Sequence, residues 1–219
     1  MQFMLTLFDL VLHFDVHLRS FASAYGVWVY LLLFVMIFCE TGLVVTPFLP
    51  GDSMLFMIGA LSASGILNLP VVSVLLAFAA ILGDTVNYSI GSFVGPRAFR
   101  KDEAVFFKKE NLEKAQAFYR KWGGAAIFLG RFMPIIRTFV PFAAGIGKMH
   151  YGRFIAWNLT GGLAWVGLFM GAGYLFGDIP VVKDNITAFI LGLILVSLLP
   201  LVVGMLKSGK KDARKDPAA

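Results

Sequence analysis

Apolar runs alternate with short clusters of small and polar residues along this chain, and the runs differ in length. Val27 to Phe38 opens the first run, a strongly apolar segment suited to cross the membrane, which continues to Glu40 and Gly42 and then meets Thr46-Pro47-Phe48-Leu49-Pro50-Gly51-Asp52-Ser53. Pro47 and Pro50 followed by Gly51-Asp52 break a helix, because each proline removes a backbone donor and crowds the preceding turn. The next run, Met54 to Leu61, is too short to cross a bilayer. Gly65 to Pro70 reads as a turn. Phe38 to Gly65 therefore predicts a hairpin that dips into a membrane and returns, a backbone tolerated at depth only where protein or water surrounds it. Val71 to Val94 is long enough to span. It carries Gly83-Asp84-Thr85 and Asn87-Tyr88 midway, and Gly91 and Gly95 at the spacing of a close helix contact.

The second half repeats this order. Arg97 to Lys121 is a charged linker with helical features, such as Glu110 and Lys114 at i,i+4. Gly123 to Lys148 predicts a second re-entrant hairpin. Its centre, Gly130 to Gly145, reads G-R-F-x-P-x-x-R-x-x-x-P-x-x-x-G, and Pro134 and Pro141 make a continuous helix there unlikely by the same steric rule. Tyr151 to Phe176 spans, with Trp157, Asn158, Gly161, Gly162 and Trp165 inside it and Gly173 and Gly177 at its end. Asp178 to Asn185 is a turn, Ile186 to Leu206 a last span, and Lys207 to Ala219 a polar tail. The first 25 residues predict an amphipathic helix lying in the interface, with Phe3, Leu7, Leu10, Phe14 and Leu18 toward lipid. A signal peptide is not expected there, because no Lys or Arg precedes the apolar run and Asp9, His13, Asp15 and His17 interrupt it. The domain expectation is an interfacial helix over 1–25, a membrane domain over 26–206 and a tail over 207–219. Within the membrane domain the repeat halves cover about 27–95 and 123–177, the linker 97–121 and the last span 186–206.

Composition agrees with this pattern. Hydrophobic residues make up 58% and charged residues 15%, and the mean hydropathy is +0.80, which places the chain among polytopic membrane proteins. The net charge of +6 gathers in 97–121 and 207–215. Basic stretches beside spans mark the cytoplasmic side and leave little reason to expect nucleic-acid binding. Counting spans, the N-terminus, the linker and the tail share that side. The first hairpin then enters from outside and the second from the cytoplasm. A short internal repeat fits: Pro47-Phe48-Leu49-Pro50-Gly51 matches Pro141-Phe142-Ala143-Ala144-Gly145, and Gly91–Gly95 matches Gly173–Gly177. The fold expected is an all-α polytopic membrane protein with two re-entrant hairpins in an inverted repeat, which places a site near the midplane between broken helices.

Five charges fall at membrane depth: Glu40, Asp52, Asp84, Arg131 and Arg137. Simple pairing that holds the halves together is one reading. The other divides the labour, since charges inside a membrane tend to be functional. Arginine offers a rigid fork of donors suited to phosphate or carboxylate, so Arg131 and Arg137 would hold an anionic head group. Glu40 and Asp52 would take up and release protons. Asp84 would serve either role or orient an arginine. An enzyme is not expected: no Ser or Cys nucleophile has a base nearby, His150 lies at the rim, and Ser53 reads as a helix cap. No metal cluster or glycine-rich phosphate loop appears, so neither metal nor cofactor is expected. His13 and His17 have ligand spacing but no third ligand near them. Cys39 is the only cysteine, which excludes an intramolecular disulfide.

Phe38-Cys39-Glu40-Thr41-Gly42, Pro47-x-x-Pro50-Gly51-Asp52-Ser53, Gly83-Asp84-x-x-Asn87-Tyr88 and Gly130-Arg131-Phe132-x-Pro134-x-x-Arg137-x-x-x-Pro141 together resemble the bacterial DedA family over essentially the whole chain. The resemblance implies a fold shared with the eukaryotic VTT-domain lipid scramblases, with paired re-entrant helices. It implies a bacterial inner-membrane protein linked to proton motive force and envelope integrity. Some members are implicated in returning undecaprenyl phosphate to the cytoplasmic leaflet. The family's essential acidic pair corresponds to Glu40 and Asp52, and its arginine pair to Arg131 and Arg137. Asp84, Asn87, Pro47, Pro50, Gly51, Pro134, Pro141 and Gly145 are the supporting motif positions. The function expected is a flippase for an anionic polyprenyl phosphate, undecaprenyl phosphate first, coupled to protons. A general phospholipid scramblase and a proton-coupled exporter of small cations are the alternatives, and self-association into a homo-oligomer stays open.

Overall fold

The computed structural model describes residues 25–43, 51–94, 116–117, 119–177 and 179. The expectations for the interfacial helix, for Pro47 and Pro50, for most of the linker, for the last span and for the tail lie outside the described residues.

Among the described residues six helices follow in order: α1 (Trp28–Gly42), α2 (Gly51–Ala63), α3 (Leu69–Val94), α4 (Ala125–Gly130), α5 (Pro134–Ile146) and α6 (Tyr151–Phe176). The described residues contain no strand. α3 and α6 have 26 residues each, about 39 Å at a rise of about 1.5 Å per residue, which exceeds a hydrocarbon core of about 30 Å. They coincide with the two spans expected there. Their outward faces carry Val74, Phe78 and Phe93 on α3 and Leu163, Leu168 and Leu175 on α6, all exposed and apolar. Lipid, not water, suits such a surface. α3 starts where Asn68 turns its side chain back to accept the Val71 N–H at 3.1 Å, with Pro70 in the first turn.

The shorter helices lie inside. Every residue of α2 from Gly51 to Ser62 is buried. α4 follows Gly123, whose φ of +56° suits a residue without a side chain. Arg131–Met133 then form a turn, Met133 is extended as a residue before proline tends to be, and Pro134 starts α5 at a position that needs no backbone donor. Pro141 departs from expectation. It lies inside α5 and does not end it. Its missing N–H leaves the Arg137 carbonyl without that helical donor, but Phe139, Val140, Phe142, Ala143 and Ala144 are all buried. Burial on both sides of the proline keeps the helix going, as happens where neighbouring helices support the gap.

The packing is reciprocal. α1 lies on α3 and α4 on α6, while α2 lies on α6 and α5 on α3. Glycines set each crossing. A Cβ on Gly59 would strike the Met170 carbonyl, and one on Gly173 the Phe56 carbonyl. At the other crossing a Cβ on Gly145 would strike the Tyr88 carbonyl, and one on Gly91 the Phe142 carbonyl. The packing thus sets Phe142-x-x-Gly145 beside Phe56-x-x-Gly59 in role. The sequence pairs it instead with Phe48-x-x-Gly51, but Gly51 plays a different part, because its missing side chain makes room for the Glu40 carboxylate.

Gly173→Ala should lower the melting temperature of the purified protein, since overpacking against backbone costs about 1–3 kcal/mol or more and each kcal/mol shifts a chain of this size by about 2–4 °C. Gly171→Ala, where nothing lies within 4 Å of the added carbon, should leave the melt unchanged or raise it slightly. Equal effects at the two positions would contradict the close α2–α6 crossing.

Candidate functional site

α1, α2, α3, α5 and the turn before α5 bring all five membrane-depth charges together, in two groups. In the first, Arg137 on α5 donates from Nη2 to Glu40 Oε1 and from Nη1 to Asp52 Oδ1, the latter at 3.1 Å. Glu40 closes α1 and Asp52 opens α2, so the acids come from two helix ends that face each other. Each acid has a second donor. The Gly51 N–H donates to Glu40 Oε1 at 3.0 Å, and the Trp165 indole N–H donates to Asp52 Oδ1 at 2.8 Å.

In the second group, Arg131 sits in the turn between α4 and α5. Its Nη2 donates to Asp84 Oδ2 on α3 and to Asn158 Oδ1 on α6, the latter at 2.6 Å. Asn158 in turn donates to the Ile81 carbonyl at 2.9 Å, which fixes its amide. Trp165 touches both groups: its ring centre lies 4.8 Å from the Arg137 guanidinium carbon and 5.8 Å from that of Arg131. Both distances fall within cation–π range.

Asn87 joins the first group from behind. Its Nδ2 donates to the Thr41 carbonyl at 3.2 Å and the Thr138 carbonyl at 2.7 Å. Thr41 follows Glu40 and Thr138 follows Arg137, so a single amide holds the backbone beside both halves of that ion pair.

All these side chains are buried, Glu40 at 1% exposure and Arg131 at 3%. At that depth a charge must be paired, and removing one partner costs about 3–5 kcal/mol. The pairing is nevertheless incomplete. Glu40 Oε2, Arg131 Nε and Nη1, Arg137 Nε, Asn87 Oδ1 and Thr138 Oγ1 have no hydrogen-bond partner among the described residues. Three carboxylates also face two guanidinium groups. The cluster therefore has guanidinium donors to spare, and its excess carboxylate leaves room for a proton. Among the described residues no group of three or more His, Cys, Asp or Glu side chains is arranged for a metal.

The sequence-level site residues sort clearly. Glu40, Asp52, Gly51 and Arg137 meet in one group, and Asp84 and Arg131 in the other. Asn87 supports the first. Pro134 starts α5, Pro141 lies within it, and Gly145 belongs to the α3 crossing. Two members escape the sequence reading as site residues. Trp165 carries a signal: an indole deep in a span is out of place when tryptophan favours the interface. Asn158 carries the same kind of signal, a lone amide in an apolar helix, but nothing in the sequence names its partner.

A model of the VTT domain matches residues 49–175, which contain every residue of the site except Glu40 and Thr41. The protein DedA of Escherichia coli K12 is 50% identical over 95% of this chain and 96% of its own. A membrane protein of Mycobacterium tuberculosis H37Rv is 42% identical over 78% of this chain and 76% of its own. The inner membrane protein YqjA of Escherichia coli K12 is 34% identical over 80% of each. No solved structure matches the chain.

Trp165→Phe keeps a ring over both guanidinium groups but removes the donor to Asp52. A hydrogen bond to a charged group is worth about 1.5–3 kcal/mol, so the melting temperature should fall by several degrees. Trp165→Leu should fall further, because the cation–π contacts go too. A Trp165→Phe melt identical to wild type would show that the indole N–H does not hold Asp52.

Proposed function

The chain belongs to the DedA family of VTT-domain membrane proteins, and on that footing we propose that it carries an anionic polyprenyl phosphate, undecaprenyl phosphate first, from the outer to the cytoplasmic leaflet of the bacterial inner membrane in a movement coupled to protons. The supporting observation is the pairing at Arg137. One guanidinium serves two carboxylates, and each carboxylate keeps a neutral donor of its own, the Gly51 N–H or the Trp165 N–H. A phosphate can take the place of a carboxylate on Arg137 once that carboxylate carries a proton. Neither acid is then stranded without a donor. Phosphate in and proton in go together, because a third unneutralised charge in this burial would cost too much.

The same reading takes α1–α2 and α4–α5 as re-entrant hairpins from opposite faces, related by an inverted repeat. The reciprocal crossings of α2 with α6 and α5 with α3 support it. The linker and the two termini lie on the cytoplasmic side in this reading, by their basic residues. The lipid's long tail stays between helices in hydrocarbon, while only the head group passes through the site. Without such a path a phosphate must cross apolar medium bare, which is prohibitive.

The test is movement of radiolabelled undecaprenyl phosphate in proteoliposomes, with and without an imposed pH gradient. Wild type should move the lipid and respond to the gradient. Arg137→Ala should lose the movement by about a hundredfold, the scale of a charged hydrogen-bonded contact. Glu40→Gln should retain some movement but lose the response to the gradient. A wild type that moves phosphatidylethanolamine as well as undecaprenyl phosphate would replace the carrier reading with a general scramblase. A wild type that moves neither would end both.

A further inference from the structure

The two arginines are alike in sequence setting, but the structure surrounds them differently. Arg137 is outnumbered by acids, and those acids have other donors. Arg131 faces a single carboxylate, and Asp84 makes its only hydrogen bond among the described residues to Arg131. An anion that took Arg131 would strand Asp84 at 5% exposure with no donor.

Space argues the same way. The guanidinium of Arg131 lies against the backbone of α6 at Gly161 and Gly162. A Cβ on Gly161 would sit 3.3 Å from Phe128 Cα and 3.6 Å from Arg131 Nε. One on Gly162 would sit 2.8 Å from Ile81 Cγ1 and 3.6 Å from Arg131 Nη1. The N–H groups of Arg131 that lack a hydrogen-bond partner among the described residues thus face a glycine backbone wedged between α3 and α4. No phosphate fits there without parting these helices. Asn158 fills the remaining side and is itself tied to Ile81.

We infer that Arg131 is a positioning residue: with Asp84 and Asn158 it forms a fixed polar lock that pins the α4–α5 turn to α3 and α6, and Arg137 alone receives the anion. The inference rests on the carrier reading for its transport arm only. The lock sets where α5 begins and hence where Arg137 stands, six residues on. The Arg131 guanidinium carbon also lies 5.8 Å from the ring centre of Trp165, whose indole N–H donates to Asp52.

The experiment removes each group as a whole. Buried ion-pair sets replaced together by apolar side chains often keep or gain stability, whereas single removals leave a stranded charge. Arg131→Ala alone should lower the melting temperature by about 10 °C. Arg131→Met, Asp84→Leu and Asn158→Leu together should melt within about 3 °C of wild type and move undecaprenyl phosphate within about threefold of its rate. Arg137→Met with Glu40→Gln and Asp52→Asn should also fold but move no lipid. A lock triple variant that melts like wild type yet loses transport tenfold or more would overturn the inference, because Arg131 would then be touching the lipid.

If that triple variant does not fold, Arg131→Lys decides. A lowered melting temperature with an unchanged KM for undecaprenyl phosphate supports the lock. An unchanged melting temperature with a KM raised about tenfold, the loss of roughly one good contact, overturns it. Should wild type move no undecaprenyl phosphate, the carrier reading fails and the lock is still judged by stability. Arg131→Ala and Asp84→Ala together should then cost clearly less than their separate losses added, and simple additivity would overturn the lock.

Discussion

Burying the Arg137 guanidinium beside Glu40 and Asp52 constrains three helices at once. The carboxylates come from the last turn of α1 and the first turn of α2, and the guanidinium from the first turns of α5. None of the three charges is tolerable alone in such burial. The ends of α1 and α2 must therefore face each other, and α5 must start early enough to present Arg137 between them. Pro134 secures that start. Gly51 secures the approach of Glu40, because any side chain there would occupy the carboxylate's place.

Much of this was legible in the sequence. The spans α3 and α6 could be read from run length, and the break before α5 from Pro134. The five charges could be read from their rarity in apolar surroundings. Three things could not be read. Pro141 looked like a breaker because the local rule concerns an isolated helix, whereas α5 is buried and its neighbours hold it. The glycines that make the crossings could not be picked out, because only the carbonyls that Gly59 and Gly145 meet show which glycines pack against backbone. The assignment of acids to arginines depends on contacts 47 to 97 residues apart in the chain. No local pattern carries that information, so Trp165 and Asn158 stayed unnoticed as parts of the site.

The glycines and the charges play complementary roles. At the crossings of α2 with α6 and α5 with α3, glycine lets backbone approach backbone, so α2 and α5 are held by close packing. At the centre, side chains replace backbone and the contacts become ionic. Close packing is indifferent to pH and to ligands, while the ionic centre responds to both. A rigid rim around a responsive middle is a sensible division for a protein whose outer helices must keep their shape in lipid.

The Asn87 amide carries one more consequence. It takes one backbone carbonyl from α1 and one from α5, the two helices that bear opposite charges. If these helices separate, Asn87 cannot follow both and must let go of one. Separation is therefore stepwise, like a catch with two teeth, and no intermediate opening keeps both bonds. The released amide N–H would then lack an acceptor, beside Asn87 Oδ1 and Thr138 Oγ1, which have no partner among the described residues. A small polar molecule such as water is the natural first guest when that catch opens.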